Sequence, residues 1–474
     1  MNYQEALTYL YSLSDFERSG QYTRDPAENL PREAWLLEQL GNPQESYTST
    51  LIAGTKGKGS TAAFIERVLR QAGLRTGLYT QPDLHTFRER IRVNGQLISE
   101  NEMSALMTDL RAVVERIQQQ KKFGPFITYE VATALALLYF SRQSVQHAVL
   151  EVGLGGRLDA TNVTRPLVSV ITSISYDHTQ ILGNTLTSIA TEKAGIIKPG
   201  GLVITSSQSP EALLAISKVC QQQHARLVRI GSFVDDPASE EVKTGRLPPL
   251  SYTYRLERRT EERQYFTIQS PEHTYTDLAI PLLGDHQLEN ATAALATLEQ
   301  LRKREQAIAW DEKALRAGLL AVRWPARAEV IGHAPTVIVD GAHNADSMQK
   351  LLQTLHSSFT YKRLIIVLST ASDKDLVGMV RALADSDIAV LTRMANPRAA
   401  SIEQLEILFA ENAPGVSIYT AEGSAQAMEL ALDLANDNDL ICASGSLYIA
   451  AEVLRWSAHR GNKAIASTIE SIDH

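Results

Sequence analysis

The chain has 474 residues, with 46 Lys+Arg against 54 Asp+Glu, a formal net charge of −8, 44% hydrophobic and 21% charged residues. Its length fits two or three domains and its composition excludes wholesale disorder, while the acid balance disfavours nucleic acid or an anionic membrane as the main partner. Two cysteines, Cys220 and Cys442, exclude a disulfide scaffold, and with no secretory pattern or apolar run of about 18 residues the expectation is a cytoplasmic protein without membrane contact.

Residues 1–47 mix helical patches with turn signals at Asp25-Pro26, Leu30-Pro31 and Gly41-Asn42-Pro43. A β-rich stretch, Thr48 to Ala53, then runs into Gly54-Thr55-Lys56-Gly57-Lys58-Gly59-Ser60. After it Ile65, Val68, Leu69 and Ala72 recur at helical spacing, and Gly73 closes the segment. Buried strands are expected at His147–Val152, Leu167–Ile174 and Leu202–Thr205, with helices around Tyr129–Tyr139 and Ser209–Gln223. That alternation predicts a mostly parallel sheet with helices on its faces. From about Ser251 to Pro281 alternating Tyr252, Tyr254 and Leu256 predict a small antiparallel meander laid beside the main sheet. Two helices follow, and Arg323-Trp324-Pro325-Ala326-Arg327 reads as a junction.

Beyond it the rhythm restarts, with a strand at Thr336–Val339, a turn at Gly341–Asn344, a helix at Ser347–Leu355 and a strand at Leu364–Leu368. Strand Asp439–Ala443, a Ser-Gly-Ser turn and helix Leu447–Trp456 close the pattern. The expected fold class is α/β, with an ATPase-type domain over 1–322 and a smaller Rossmann-like domain over 323–474.

A glycine loop between strand and helix binds phosphate because bare backbone N–H groups approach the oxygens and the helix dipole favours negative charge. Gly54, Gly57 and Gly59 allow that approach, Lys58 supplies a point charge, and Ser60 or Thr61 a hydroxyl for a metal. Ile52 stands where a strict Walker loop has its first Gly, and Gly59 intervenes between Lys58 and Ser60.

This loop resembles that of the folylpolyglutamate synthases, the folate branch of the Mur ligase family. So do the run from Phe87 to Gly95, the run from Leu150 to Asn162, Asp177-His178, Glu192-Lys193-Ala194-Gly195-Ile196, His286-Gln287 with Asn290, Arg327, Asp340-Gly341-Ala342-His343-Asn344 and Gly445-Ser446-Leu447-Tyr448. These segments arrive in family order across residues 54–448.

The resemblance implies a ligase that adds L-glutamate to a folate with ATP and Mg²⁺, leaving open a second activity on dihydropteroate. A substrate carboxylate would attack the γ-phosphate, and the amine of glutamate would then displace phosphate from the acyl phosphate. It implies Glu151 and His178 as metal ligands, and a carbamylated Lys193. Gly54, Thr55, Lys56, Gly57, Lys58, Gly59, Ser60, Thr61, Asn290, Arg327, Asp340 and His343 would surround ATP. Arg88, Thr128, Leu158 and Asp159 would surround the folate. Arg88, Arg90 and Arg92 alternate and would share one face of a strand. A monomer is expected.

One departure stands out. The family pattern Ser-Pro-His-Leu, whose Ser serves a magnesium site, is here Gln81-Pro82-Asp83-Leu84, so a carbonyl and a carboxylate replace the hydroxyl. Two rivals therefore stay open, a Mur-type ligase with a non-folate acceptor and a silent nucleotide-binding relative.

Overall fold

A computed structural model describes residues 1–14 and 26–461, so Asp25 of the first turn signal lies outside the described residues. The first eleven strands are β1 (Thr48–Ala53), β2 (Thr76–Tyr79), β3 (Ile91–Val93), β4 (Gln96–Leu97), β5 (His147–Glu151), β6 (Val168–Ile171), β7 (Leu202–Thr205), β8 (Arg226–Ser232), β9 (Leu250–Arg259), β10 (Gln264–Gln269) and β11 (Thr274–Ile280). They form one sheet in the order β11-β10-β9-β8-β7-β6-β1-β5-β2-β3-β4. From β9 through β2 every pairing is parallel, and antiparallel strands extend both edges.

The antiparallel meander forms as expected, but it is not laid beside the sheet. β9 pairs in parallel with β8, so the meander continues the sheet and buries its apolar face, Tyr252, Phe266, Ile268 and Leu278, in the same core. The apolar alternation of β1 shows how the layers are fed. Leu51 and Ala53 enter the core on one face, and Ile52 enters the core on the other.

The remaining strands, β12 (Glu329–Gly332), β13 (Thr336–Val339), β14 (Leu364–Leu368), β15 (Ile388–Leu391), β16 (Ser417–Thr420) and β17 (Leu440–Ser444), form a second sheet in the order β12-β13-β17-β14-β15-β16. Only β12 runs antiparallel to its neighbour. Helices cover both faces, as near-continuous apolar strands such as Leu364–Leu368 require.

Topology fixes where a ligand can go. β1 lies between β5 and β6, and its carboxyl end opens into the glycine loop and the helix Lys58–Gln71. Open α/β sheets place ligands at such carboxyl ends. Cys220 and Cys442 are both buried and unpaired, and no helix among the described residues is long and apolar enough to cross a membrane.

Candidate functional site

The glycine loop is shaped by its neighbours. Gly54 adopts φ +149, and a Cβ there would fall 1.8 Å from the Thr172 hydroxyl, just past β6. Gly57 adopts φ +86, and its Cβ would strike the Asn290 side chain at 2.3 Å. Asn290 comes from the long helix Asp285–Arg304 and accepts a hydrogen bond from Thr61 at 3.4 Å. The predicted residues Gly54, Gly57, Thr61 and Asn290 thus meet around one turn of backbone. Thr55 and Ser60 are buried beside them, and the Thr55 hydroxyl donates to the Ser175 carbonyl at 3.1 Å. Gly59 lies against the indole of Trp324, so the interdomain junction touches the loop.

Two lysines converge on the Gly54 carbonyl. Lys58 Nζ donates to it at 3.2 Å and stands 3.9 Å from the Glu151 carboxylate. Lys193 Nζ donates to the same oxygen at 2.9 Å from the helix Leu186–Ala194. Lys193 is 5% exposed. Burial, and then the charge of Lys58, push its amine down to about 7. Glu151, the last residue of β5, is equally buried. Burial raises its carboxyl above the usual range, against the pull of Lys58, the Gln81 amide and Arg327.

Gln81 is built into this cluster. Its backbone N–H donates to the Glu151 carboxylate at 3.2 Å. Its side-chain amide donates to the Glu151 carbonyl at 3.3 Å and to the Tyr129 hydroxyl at 3.1 Å. Since a carbonyl can only accept, those contacts fix which end of the amide is nitrogen. The Gln81 side-chain oxygen is then buried with no hydrogen-bond partner. Asp83, the other departure from the family pattern, is held by Arg90 at 2.5 Å.

Tyr129 was not singled out in the sequence, where it reads only as an apolar helix position. It donates to Asp159 at 3.0 Å and accepts from the Gly153 amide at 3.0 Å. Asp159 also accepts from the amides of Gly153, Leu154 and Thr161, a set that pins the turn after β5. Leu158 is half-buried beside it. Thr128 is turned away, its hydroxyl donating to the carbonyls of Leu10, in the helix Tyr3–Ser12, and of Leu13 just past it.

Other predicted residues lie elsewhere. His178 is exposed at φ +48 and caps a short turn of helix. Although the side chain is open to solvent on one side, the protein packed around its ring disfavours the charged form and, with Lys374, Lys193 and Lys58 and against Asp177, holds it below its ordinary value. Arg88, Arg90 and Arg92 do not share a strand, since only Arg92 lies on one. Phe87–Arg90 is a 3₁₀ turn, and buried Arg88 donates to the Ile98 carbonyl at 2.7 Å. Arg92 stacks over Trp324 instead.

The second domain presents its own carboxyl edge. Asp340, after β13, accepts from the amides of Ala328 and Ala342 at 2.8 and 2.7 Å. Arg327 donates to the Ala326 carbonyl and acts electrostatically on both Asp340 and Glu151, so it faces both domains. His343 Nδ1 lies 2.9 Å from the Gly341 carbonyl, and burial holds the ring below its ordinary value. Lys56 leaves the glycine loop altogether to reach Asn344 at 3.2 Å and to pair with Asp346.

This order of elements matches known families. The model of the Mur ligase middle domain matches residues 52–298, and that of the Mur ligase glutamate ligase domain matches 326–447. A Bacillus subtilis dihydrofolate synthase/folylpolyglutamate synthase is 34% identical over 95% of this chain and 98% of its own. The chain belongs to the folylpolyglutamate synthase branch of the Mur ligase family. A Lacticaseibacillus casei folylpolyglutamate synthase is 32% identical over 96% of this chain and 98% of its own. Among solved structures, Mycobacterium tuberculosis folylpolyglutamate synthase complexed with ADP superposes with a TM-score of 0.84 at 32% identity, over 96% of this chain and 98% of that one. Escherichia coli FolC in complex with DHPP and ADP gives 0.81 at 27% identity, over 97% and 98%.

Proposed function

We propose that this chain joins L-glutamate to a folate at the expense of ATP, through an acyl phosphate, with the nucleotide on the glycine loop and the second domain closing over it. The observation that carries this reading is the meeting of Lys58, Glu151 and Lys193 at the carboxyl end of β1, opposite Arg327, in a chain that matches folylpolyglutamate synthases almost end to end. The division at residue 323 belongs to the same proposal, because Arg323 precedes the junction tryptophan between the two sheets.

In the first step a substrate carboxylate oxygen forms a bond to the γ-phosphorus as the bond to the ADP oxygen breaks. In the second, the glutamate nitrogen bonds to the acyl carbon, the acyl–phosphate bond breaks, and the amine proton leaves. Phosphoryl transfer is mostly positioning and charge neutralisation, so the loop amides and Lys58 would hold the β- and γ-phosphates in line. Asp340 and Arg327 would take the ribose and phosphates from the other domain, and closure would keep water from the acyl phosphate.

The donor set near Glu151 suits Mg²⁺, a hard cation that takes one or two carboxylates and keeps several waters. Glu151, the unpartnered Gln81 oxygen and the Ser60 hydroxyl would hold the ion, with His178 approaching from its turn; when bound, the ion neutralises phosphate charge. The Gln81 carbonyl would thus replace the family's serine hydroxyl. An amine pushed down to about 7 has a substantial neutral fraction near neutral pH, and the neutral form is the one that adds to CO₂. Carbamylation of Lys193, forming an N–C bond with release of one proton, is part of this proposal.

The test is phosphate release from ATP with glutamate present, comparing tetrahydrofolate, dihydropteroate and no acceptor. Release above the no-acceptor rate with tetrahydrofolate is expected. Equal rates in all three arms would overturn the folate reading, and the dihydropteroate arm decides the second activity.

A further inference from the structure

The junction between the domains carries a cluster of cations that the proposed reaction does not use. Residues Ala321 to Pro325 run along the flank of the helix Lys58–Gln71, where Gly318 packs against Val68 and Trp324 against Gly59. Two cavities of about 360 Å³ each open on this segment and share Arg67, Ala321, Val322 and Arg323.

The carboxylates of the first cavity are all engaged. Glu66 accepts from Arg70 at 2.8 Å and from Thr76 at 2.7 Å. Glu89 accepts from the amides of Leu84, His85 and Thr86, and Glu329 from that of Ala326. The second cavity is lined by Arg67, Arg263, Pro281, Leu320 and the shared junction residues, with no carboxylate among them. Arg67 Nε is buried there without a hydrogen-bond partner. Burial, and then the like charge of Arg70, act against the charge on Arg67, with Glu66 opposing them.

An unpartnered buried donor costs about 1–3 kcal/mol, and arginines gathered on one cavity wall gain from an anion placed between them. Each guanidinium presents a planar fork of N–H donors that matches a phosphate oxyanion, which a spherical ion such as chloride cannot satisfy. A chain of net charge −8 has no general attraction for anions, so the affinity here would be local.

We propose that Arg67, Arg263 and Arg323 form a second anion site, separate from the glycine loop, for an oxyanion of the phosphate class. Arg67 stands on the helix of the glycine loop, Arg263 in the turn between β9 and β10, and Arg323 in the junction itself. Phosphate held among them ties the junction to the first domain and restrains the swing of the second, because hinge segments absorb such motion in few residues.

Calorimetric titration of inorganic phosphate into the full chain, at constant ionic strength balanced with chloride and with Mg²⁺ and saturating ADP on the glycine loop, tests this. One saturable phosphate site is expected, weakened about ten-fold or more by Arg67→Gln or Arg323→Gln. Arg111→Gln, which removes an exposed pair with Glu115 and a contact over the Tyr9 ring, leaves it unchanged. Arg323 is exposed, so its variant keeps the test should Arg67→Gln fold poorly. Two ADP sites in the unaltered protein, reduced to one in Arg323→Gln, would also support the site and name a nucleotide's phosphates as the source. Absence of saturable phosphate binding alongside a single ADP site, or equal binding by both variants, would overturn it.

Discussion

The two carboxyl edges that face each other are built differently. On the first domain, groups from different elements bond to one another: Lys58 and Lys193 to Gly54, and Gln81 to Glu151 and Tyr129. On the second, Asp340, Arg327 and His343 bond to the backbone of their own domain, from one to twelve residues away. The first edge is a preformed polar network whose members fix one another's protonation and position. The second is a set of independently held groups brought up by domain closure. Losses on the first edge should therefore damage chemistry, and losses on the second should damage closure and nucleotide affinity.

The largest expected effect is Lys58→Ala. Removing a preorganised charge at a phosphoryl centre costs about 10²–10³ in rate, here read as phosphate release with tetrahydrofolate and glutamate. Full activity in that variant would remove the phosphate-loop assignment and, with it, the contrast between the edges.

Lys193 comes next. Its amine is charged below about pH 7 and neutral above it. The unfolded chain protonates that lysine up to its ordinary, higher value, so this residue's contribution to stability rises with pH between the two. Depleting CO₂ should lower activity and bicarbonate should restore it, faster above pH 7 than below because only the neutral amine reacts. Indifference to bicarbonate, together with an unmodified mass for native protein, would leave Lys193 as a cation on the Gly54 carbonyl and nothing more.

A smaller change is expected from Gln81→Ser. It restores the family hydroxyl but loses the bonds to Tyr129 and the Glu151 carbonyl. Activity should survive with the Mg²⁺ concentration for half-maximal rate raised about ten-fold, the scale on which ligand-supporting contacts act. Complete loss at saturating Mg²⁺ would show that Gln81 acts through the network rather than on the ion.

Much of this was legible before any coordinates. The strand Thr48–Ala53, its loop and helix, and the strand Thr336–Val339 follow from apolar runs bounded by glycine. Family order then picked out both edges. The Arg88 segment failed because a period of two is shared by a strand and by a short turn leading into one. Thr86-Phe-Arg-Glu89 is a capping box, and reading it would have placed a helical turn at Phe87. Tyr129 was hidden because a buried hydroxyl on an apolar helix looks like core, and only its partners reveal the network. The meander was found, but its pairing with β8 is a contact between distant strands that local pattern does not encode.

The crossing of Lys56 to the second domain was equally invisible, since its partners are 288 and 290 residues away. Lys56 belongs to the glycine loop by position and to the second domain by contact, so it tests the contrast between the edges most finely. Burial lowers its pKa while Asp346 opposes that shift, leaving the pair partly exposed and modest in strength. Asp346→Asn releases the amine toward the phosphates and removes a negative charge near them. Both effects favour nucleotide, so ADP should bind about two- to five-fold more tightly, matching the few tenths to 1 kcal/mol of such pairs. The same change should let the domains separate, read as a longer distance between a dye on each. In a Lys56→Ala background Asp346→Asn should do little further, because the two residues act through each other. If the two changes add independently, Asp346 acts on the nucleotide by its own charge, and the link between loop and closure lies in Arg327 instead.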